Sequence, residues 1–120
     1  MNQIMKLADA IVFGIREKKG RDIVLADLSN IETAPCQMFV VCSGGSPQQV
    51  DALVDAIEKT AREQCGERPA AICGRERGEW VAMDYGTIMV HVFLPAPREY
   101  YDLENLWDDA RVERLSDEEQ

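Results

Sequence analysis

The chain has 120 residues, of which 46% are hydrophobic, and its 22 acidic residues against 13 basic residues give a net charge of -9. This length and composition predict a single domain with one core and no second domain. The negative charge opposes binding that depends on neutralising phosphates, so we expect little direct contact with nucleic acid and a basic protein as the better partner.

The N-terminal third predicts a helix followed by two strands. Apolar residues recur at helical spacing over residues 2–19, and Gly20 follows as the expected C-cap. Residues 22–28 form a mostly apolar strand, and residues 37–42 are apolar on both faces, which is typical of a central strand. An amphipathic helix that covers a sheet is therefore expected.

A second helix is predicted after the turn formed by Gly44, Gly45 and Ser46. Ser46 suits the N-cap, Pro47 the first helical position and Gln49 the end of a capping box. The free backbone amides of such a turn could also bind an anion. We interpret the turn as backbone geometry that caps the helix.

Three strands are predicted next. A short strand covers residues 69–73, and two runs rich in β-forming residues, 80–84 and 87–94, flank Tyr85 and Gly86. Two such runs separated by a glycine-containing turn predict a β-hairpin.

Strict alternation divides the side chains of this hairpin between two faces. With Asp84 opposite Thr87, Ala82 lies opposite Met89 and Trp80 opposite His91. One face has no polar side chain and is assigned to the core: Val81, Met83, Ile88, Val90, Val92 and Leu94. The other face mixes large apolar side chains with polar tips, and together with the turn tyrosine it is the candidate partner-binding site: Trp80, Asp84, Tyr85, Thr87, Met89, His91 and Phe93.

Three residues of this site have alternative interpretations. Trp80 could belong to the core, but the alternation separates it from the apolar face, and tryptophan is enriched among residues that dominate binding energies. His91 is interpreted as a hydrogen-bonded strand histidine beside Trp80, since no nucleophile or second base accompanies it. Asp84 is expected to accept backbone amide hydrogen bonds in the turn and to line the contact face.

The last predicted element is a helix that begins near Pro97. The spacing of Tyr100, Leu103 and Trp107 indicates a side that packs on the sheet. The element order is then αββαβββα, which predicts an α/β fold with a mixed five-stranded sheet and flanking helices.

The C-terminal residues 111–120 are predicted to form an acidic tail. They end in Ser-Asp-Glu-Glu-Gln and contain too few apolar side chains to hold the segment on the domain. We therefore expect a frayed or disordered tail and a folded domain that spans residues 1–110.

The cysteine pattern indicates reduced thiols rather than a metal site. Cys36, Cys42, Cys65 and Cys73 form no C-x-x-C pair, and the chain has one histidine. The N-terminus lacks a charged start followed by an apolar run, and no stretch approaches the roughly 18 apolar residues of a membrane helix. We expect a cytoplasmic protein without metal, cofactor or membrane association.

The hairpin and the last helix share a spaced residue pattern. W-x-x-x-D-x-G-x-x-x-V-H-x-F spans residues 80–93, and R-x-x-Y-x-L-E-x-L-W spans residues 98–107. This pattern resembles the ribosomal silencing factor family, also called the Iojap family. The resemblance extends upstream through the turn at Ser43–Ser46 and covers about residues 4–110. Thr87 departs from the family, which usually has an acidic residue there.

The resemblance implies a non-enzymatic translation repressor. Members of the family dock on a basic protein of the large ribosomal subunit, number fourteen in its series, and sterically block joining of the small subunit. The family's fold is similar to that of nucleotidyltransferases, which use a glycine-serine turn at the place of Gly44–Ser46.

Two alternatives stay open. One is a small nucleotidyltransferase-like enzyme that uses the Gly44–Ser46 turn, although no strand supplies the paired carboxylates that would hold magnesium. The other is a dimeric interaction module, a homodimer in which the contact face of the hairpin is buried between two copies.

Overall fold

The computed structural model describes residues 3–106 and 109–117, and within these ranges it contains three α-helices, a short 3-10 helix and one six-stranded sheet. The helices are α1 (Gln3–Glu17), α2 (Pro47–Cys65) and α3 (Pro95–Tyr101), followed by the 3-10 helix Leu103–Asn105. The strands are β1 (Arg21–Asp27), β2 (Met38–Ser43), β3 (Ala71–Cys73), β4 (Trp80–Asp84), β5 (Ile88–Phe93) and β6 (Arg111–Arg114).

The sheet is mixed, with the strand order β3-β4-β5-β2-β1-β6. β2 and β5 are parallel neighbours in its centre, and all other neighbouring pairs are antiparallel. The predicted α/β class and the order αββαβββα are confirmed. The predicted number of five strands is wrong, because β6 extends the sheet beyond β1. The likeness to nucleotidyltransferases stays a prediction.

The sixth strand also corrects the predicted tail. Residues 111–114 pair with β1 along its outer edge, so this segment is neither frayed nor outside the domain. The amide of Leu115 then donates to the carbonyl of Ile23 at 2.9 Å, and the half-buried Leu115 side chain contacts the core. Backbone hydrogen bonds to the edge of β1 hold the segment, and apolar content does not reveal such bonds. Residues 118–120 of the predicted tail lie outside the described residues.

Helices α1 and α2 cover one face of the sheet and bury the main core. The apolar hairpin face joins this core as predicted, with five side chains fully buried and Leu94 partly buried: Val81, Met83, Ile88, Val90 and Val92. The two helices approach closely at Gly14, where an added Cβ would lie 2.6 Å from the Thr60 hydroxyl oxygen. That hydroxyl donates to the carbonyl of Ala10 at 2.7 Å, which joins the helices.

The opposite face of the sheet carries a second, smaller apolar cluster. Its buried members lie on or next to β1, β2 and β5: Val24, Ala26, Leu28, Phe39, Val41 and Phe93. The segment between β1 and β2 covers this cluster through Ile31, Ala34 and Cys36, and Leu103 adds to the cover. The cover stops before β3 and β4, whose side chains on this face are exposed or half-buried.

The start of α2 has the predicted Ser46 cap, but the Gln49 side chain accepts from the amide of Gly45 rather than from that of Ser46, as a capping box would require. The Ser46 hydroxyl accepts from the amide of Gln49 at 3.1 Å, and Pro47 occupies the first turn. The Gln49 side chain also donates to the carbonyls of Lys18 and Lys19, both at 3.1 Å. One glutamine therefore ties the beginning of α2 to the end of α1.

The C-cap predicted at Gly20 is wrong. Lys19 adopts the left-handed conformation instead, with φ +60. Gly20 is buried, and an added Cβ would lie 2.4 Å from Ile15 and 2.9 Å from Leu53. Glycine at this position is explained by lack of space.

The last helix is shorter than predicted. It ends at Tyr101, because Asp102 is left-handed with φ +48, so Tyr100 and Leu103 do not share a helical stripe. Tyr100 is 83% exposed, whereas Leu103 contacts the second cluster. Trp107, the other member of the predicted stripe, lies outside the described residues.

All four cysteines are free thiols. Cys42 is fully buried, and desolvation raises its pKa to about 12. Among the described helices, none combines the length and the apolar character needed to cross a membrane.

Candidate partner-binding surface

The β4–β5 hairpin has the predicted faces but a different register. Asp84 lies opposite Met89 and Trp80 opposite Phe93, a shift of two residues along β5. Gly86 takes the first place in the turn, with φ +83, rather than the second place that the prediction assumed. A shift of two residues keeps every side chain on its predicted face, since side chains alternate with period two.

The turn of the hairpin depends on Asp84. Its carboxylate accepts a hydrogen bond from the amide of Gly86 at 2.8 Å, as predicted. On the same face, Ala82, Thr87 and Met89 are half-buried. This half of the predicted site therefore reaches the surface.

Three predicted contact residues do not reach the surface. His91 and Phe93 are 4% and 0% exposed, because the segment between β1 and β2 and the C-terminal segment cover their side of β5. Tyr85 is 8% exposed and belongs to the core on the helical side, since it has the same parity as Val81. The sequence pattern shows which face a residue lies on, but not whether a distant loop covers it.

Trp80 connects the buried part of this face to the surface. Its half-buried indole stacks on Phe93, with ring centroids 5.0 Å apart, and contacts Tyr101 at 4.7 Å. Its Nε1 donates to Nδ1 of His91 at 3.0 Å, which confirms the predicted strand histidine hydrogen-bonded beside Trp80. The buried rings of Phe93 and His91 thus support Trp80 on its inner side.

His91 is a neutral support for this tryptophan. Burial lowers its pKa from 6.5 to about 4, so the imidazole is uncharged near neutral pH. Because Nδ1 accepts a hydrogen bond, the ring proton lies on Nε2, which is buried and has no hydrogen-bond partner in the described part of the chain. Phe39 meets the ring edge-on at 4.8 Å.

The glycine-serine turn before α2 is occupied by internal hydrogen bonds. The amide of Gly44 donates to the carbonyl of Phe93 at 2.8 Å, and the amide of Gly45 donates to the Gln49 side chain at 2.6 Å. These two amides are therefore not available to an anion. Over residues 3–106 and 109–117, no group of three or more His, Cys, Asp or Glu residues could hold a metal ion.

Strand β3 enlarges the open part of the site. Its residues Ala71 and Cys73 pair with Asp84 and Ala82 and therefore lie on the same face of the sheet. Both are exposed. Residue alternation alone could not assign them, because the register between β3 and β4 is not encoded in a tight turn. We call the exposed and half-buried set the β3–β5 surface: Ala71, Cys73, Trp80, Ala82, Asp84, Thr87 and Met89.

The charge of the protein is unevenly distributed around this surface. Residues 3–19 and 47–65, which contain α1 and α2, together carry as many basic as acidic side chains. The net charge of -9 therefore comes from the rest of the chain. Every charged residue between Glu99 and Asp109 is acidic. The acidic excess therefore lies in the strands, loops and C-terminal segment rather than in the two long helices.

Comparison with known proteins agrees with this architecture. A family model described as "Ribosomal silencing factor during starvation" matches residues 1–120. The ribosomal silencing factor RsfS of Bacillus subtilis is 37% identical over 117 residues, which cover 96% of this chain and 95% of that protein. A crystal structure of a protein from Chromobacterium violaceum, 36% identical, superposes with a TM-score of 0.82 and covers 90% of this chain and 88% of that one.

A more distant relative comes from mouse. The protein named mitochondrial assembly of ribosomal large subunit protein 1 is 32% identical over 101 residues, which cover 82% of this chain and 44% of that protein. A family match over the full length and close relatives of the same size together decide the assignment. The chain belongs to the ribosomal silencing factor family.

Proposed function

We propose that this protein represses translation by binding the large ribosomal subunit and blocking its association with the small subunit. The proposed contact is the basic protein number fourteen of the large subunit. The observation that carries the proposal is the β3–β5 surface, a largely apolar sheet face whose side chains are exposed or half-buried. Open apolar patches rimmed by polar residues mark protein interaction sites.

The composition of the surface supports a basic protein as the partner. Trp80, Ala82 and Met89 offer apolar area, and Asp84 places a carboxylate beside that area at the turn of the hairpin. A carboxylate at an interface needs a positive partner, because an unpaired buried charge costs several kcal/mol, on the order of 3 to 5. The acidic surroundings disfavour RNA and steer a basic protein toward this face.

Repression would follow because the docked protein occupies space that the small subunit needs. The molecule measures 35 × 33 × 31 Å along its principal axes. When the β3–β5 surface is docked, α1 and α2 project outward from the opposite side of the sheet. A body of this thickness on the interface side of one subunit would keep the second subunit away. Such a protein acts in the cytoplasm, where the subunits meet.

Two variants of the protein test this proposal. Ala82→Lys places a long cationic side chain in the β3–β5 surface. Ala52→Lys places the same side chain at a position that is also half-buried but lies on α2, in the helical layer. Ala82 is preferred to Trp80 for this purpose, because Trp80 packs on Phe93 and its removal would also lower stability. The assay is co-sedimentation with purified large subunits, followed by addition of small subunits.

The expected result is that the wild-type protein and Ala52→Lys sediment with large subunits and reduce subunit joining. Ala82→Lys should lose binding by about tenfold or more, which corresponds to about 1.4 kcal/mol. A wild-type protein that stays in the supernatant, or that leaves joining unchanged, would refute the proposed function. Normal binding by Ala82→Lys would instead remove the β3–β5 surface from the interface.

The two alternatives have less support. An enzyme that binds a nucleotide at the Gly44–Ser46 turn would need amides that are already hydrogen-bonded within the protein. In a homodimer formed through the β3–β5 surface, Asp84 would lie against the same surface of a second copy, which contains no basic side chain to pair with it. Sedimentation velocity over a concentration series would detect such a dimer.

A further inference from the structure

A row of aromatic rings leads from the core to an exposed edge of the β3–β5 surface. Phe93 is fully buried, Trp80 is half-buried, and Tyr101 and Tyr100 are 48% and 83% exposed. Successive ring centroids lie 5.0, 4.7 and 5.0 Å apart. Leu106, which follows the 3-10 helix, is another large apolar side chain on the surface, at 59% exposure. An isolated exposed tyrosine needs no explanation, but a connected row ending in two of them does.

The helix that carries the two tyrosines is fixed on the sheet by Arg98. This is the buried residue of α3, 7% exposed, and its Nη1 donates to the hydroxyl of Ser43 at 2.8 Å. The amide of Leu94, just before α3, donates to the carbonyl of Glu79 at 2.9 Å. The tyrosines are therefore presented on a fixed element, and tyrosine side chains lose little conformational entropy on binding.

The electrostatic surroundings of the row define the partner. From Glu99 to Asp109 all charged residues are acidic. The faces of tyrosine rings also attract cations, because the ring quadrupole is negative at its face. Acidic groups beside exposed aromatic rings suit arginine and lysine side chains of a protein and repel the phosphates of RNA.

We propose that Tyr100, Tyr101 and Leu106 form a second part of the docking surface and receive arginine or lysine side chains of the same basic ribosomal protein. This inference rests on the proposed function. It extends the interface from the sheet face to the segment after β5. Trp80 lies between the two parts and contacts Tyr101 directly.

Three substitutions of Tyr100 test the proposal, since an 83% exposed side chain can be changed with little effect on folding. Tyr100→Phe keeps the ring, Tyr100→Ala removes it, and Tyr100→Lys replaces it with a cation. Phe13→Ala is the matched control, because Phe13 is a 44% exposed aromatic residue on α1 in the helical layer. Affinity for purified large subunits is measured by titration, and a thermal melt confirms that each variant is folded.

We expect Tyr100→Phe and Phe13→Ala to bind like the wild-type protein and Tyr100→Ala to bind about 5- to 30-fold more weakly, the range for a loss of one or two kcal/mol. Tyr100→Lys should bind more weakly still. Unchanged binding by Tyr100→Ala would overturn the second docking part while the proposed function stands. Tighter binding by Tyr100→Lys would mean that the segment faces phosphates. Failure of the wild-type protein itself to bind would refute the proposed function as well.

Discussion

His91 determines how Trp80 is held. Its Nδ1 accepts the indole hydrogen bond, and its ring fills the space between Trp80 and Phe39. A protonated imidazole could not accept that bond, because both ring nitrogens would then be donors. The orientation of the half-exposed tryptophan thus depends on a histidine that stays neutral.

The depressed pKa of His91 predicts a specific dependence of stability on pH. Above pH 6.5 the imidazole is neutral in both the folded and the unfolded protein. Between 6.5 and about 4 only the unfolded chain takes up the proton, so the free energy of unfolding falls as the pH falls. His91 contributes at most about 1.4 kcal/mol per pH unit to this fall in the free energy of unfolding.

Urea unfolding of the wild-type protein and of His91→Gln at several pH values measures this contribution. Carboxylates titrate in both proteins and cancel in the difference. The glutamine variant should be less stable overall, but its stability should decline less steeply below pH 6.5. If the free energies of unfolding of the two proteins changed with pH in parallel, His91 would not keep a depressed pKa.

At the scale of elements, β6 completes the sheet and joins the C-terminal segment to the N-terminal part of the chain. The Arg16 guanidinium of α1 donates to the carbonyl of Ser116 at 3.0 Å, and the Asp117 carboxylate accepts from the amide of Asp22 at 2.9 Å. Together with the β1–β6 ladder, these bonds connect α1, β1 and the last described residues. The C-terminal segment is therefore part of the domain.

Deleting residues 111–120 should destabilise the protein for this reason. The deletion removes the ladder on β1 and the contact of Leu115 with the core, so we expect the free energy of unfolding to fall by more than about 1 kcal/mol. Deleting only residues 118–120 removes no described contact and serves as the control. Equal chemical unfolding curves for the long deletion and the full chain would contradict the role of β6.

The elements that local patterns encode were predictable. Ser46 and Gln49 fixed the start of α2, and the apolar face of the hairpin was assigned from alternation alone. The register of the hairpin was not predictable, because it depends on whether Gly86 occupies the first or the second place of the turn. The sixth strand and the burial of His91 and Phe93 depend on contacts between segments far apart in sequence, which leave no local pattern.

At the scale of the whole molecule, the charge is divided unevenly between the two long helices and the rest of the chain. The two helices are neutral in total, and the acidic residues are in excess among the strands, loops and C-terminal segment. An uneven distribution of charge orients the molecule before contact, with the acidic segments toward a basic partner.

Association with large subunits should therefore slow as salt is added. Raising the ionic strength from about 0.1 M to about 1 M shortens the Debye length from about 10 Å to about 3 Å, which removes long-range steering. We expect the association rate constant to fall much more than the dissociation rate constant rises. Stopped-flow mixing with labelled protein measures both.

Two charge variants provide the comparison for this measurement. Glu99→Gln removes a charge from the acidic segment 99–109, and Glu63→Gln removes one from α2; both residues are exposed. The first should reduce the association rate at low salt more than the second. An association rate that does not depend on salt would contradict electrostatic steering by the acidic segments.

The position of β6 beside β1 also determines when the protein can finish folding during its own synthesis. β1 leaves the ribosome well before β6, so the outer edge of β1 stays unpaired until the chain has been made through residue 114. An open strand edge can pair with another chain and start aggregation. A nascent chain interrupted before residue 111 would keep this edge, whereas a chain that extends through β6 closes it with its own strand.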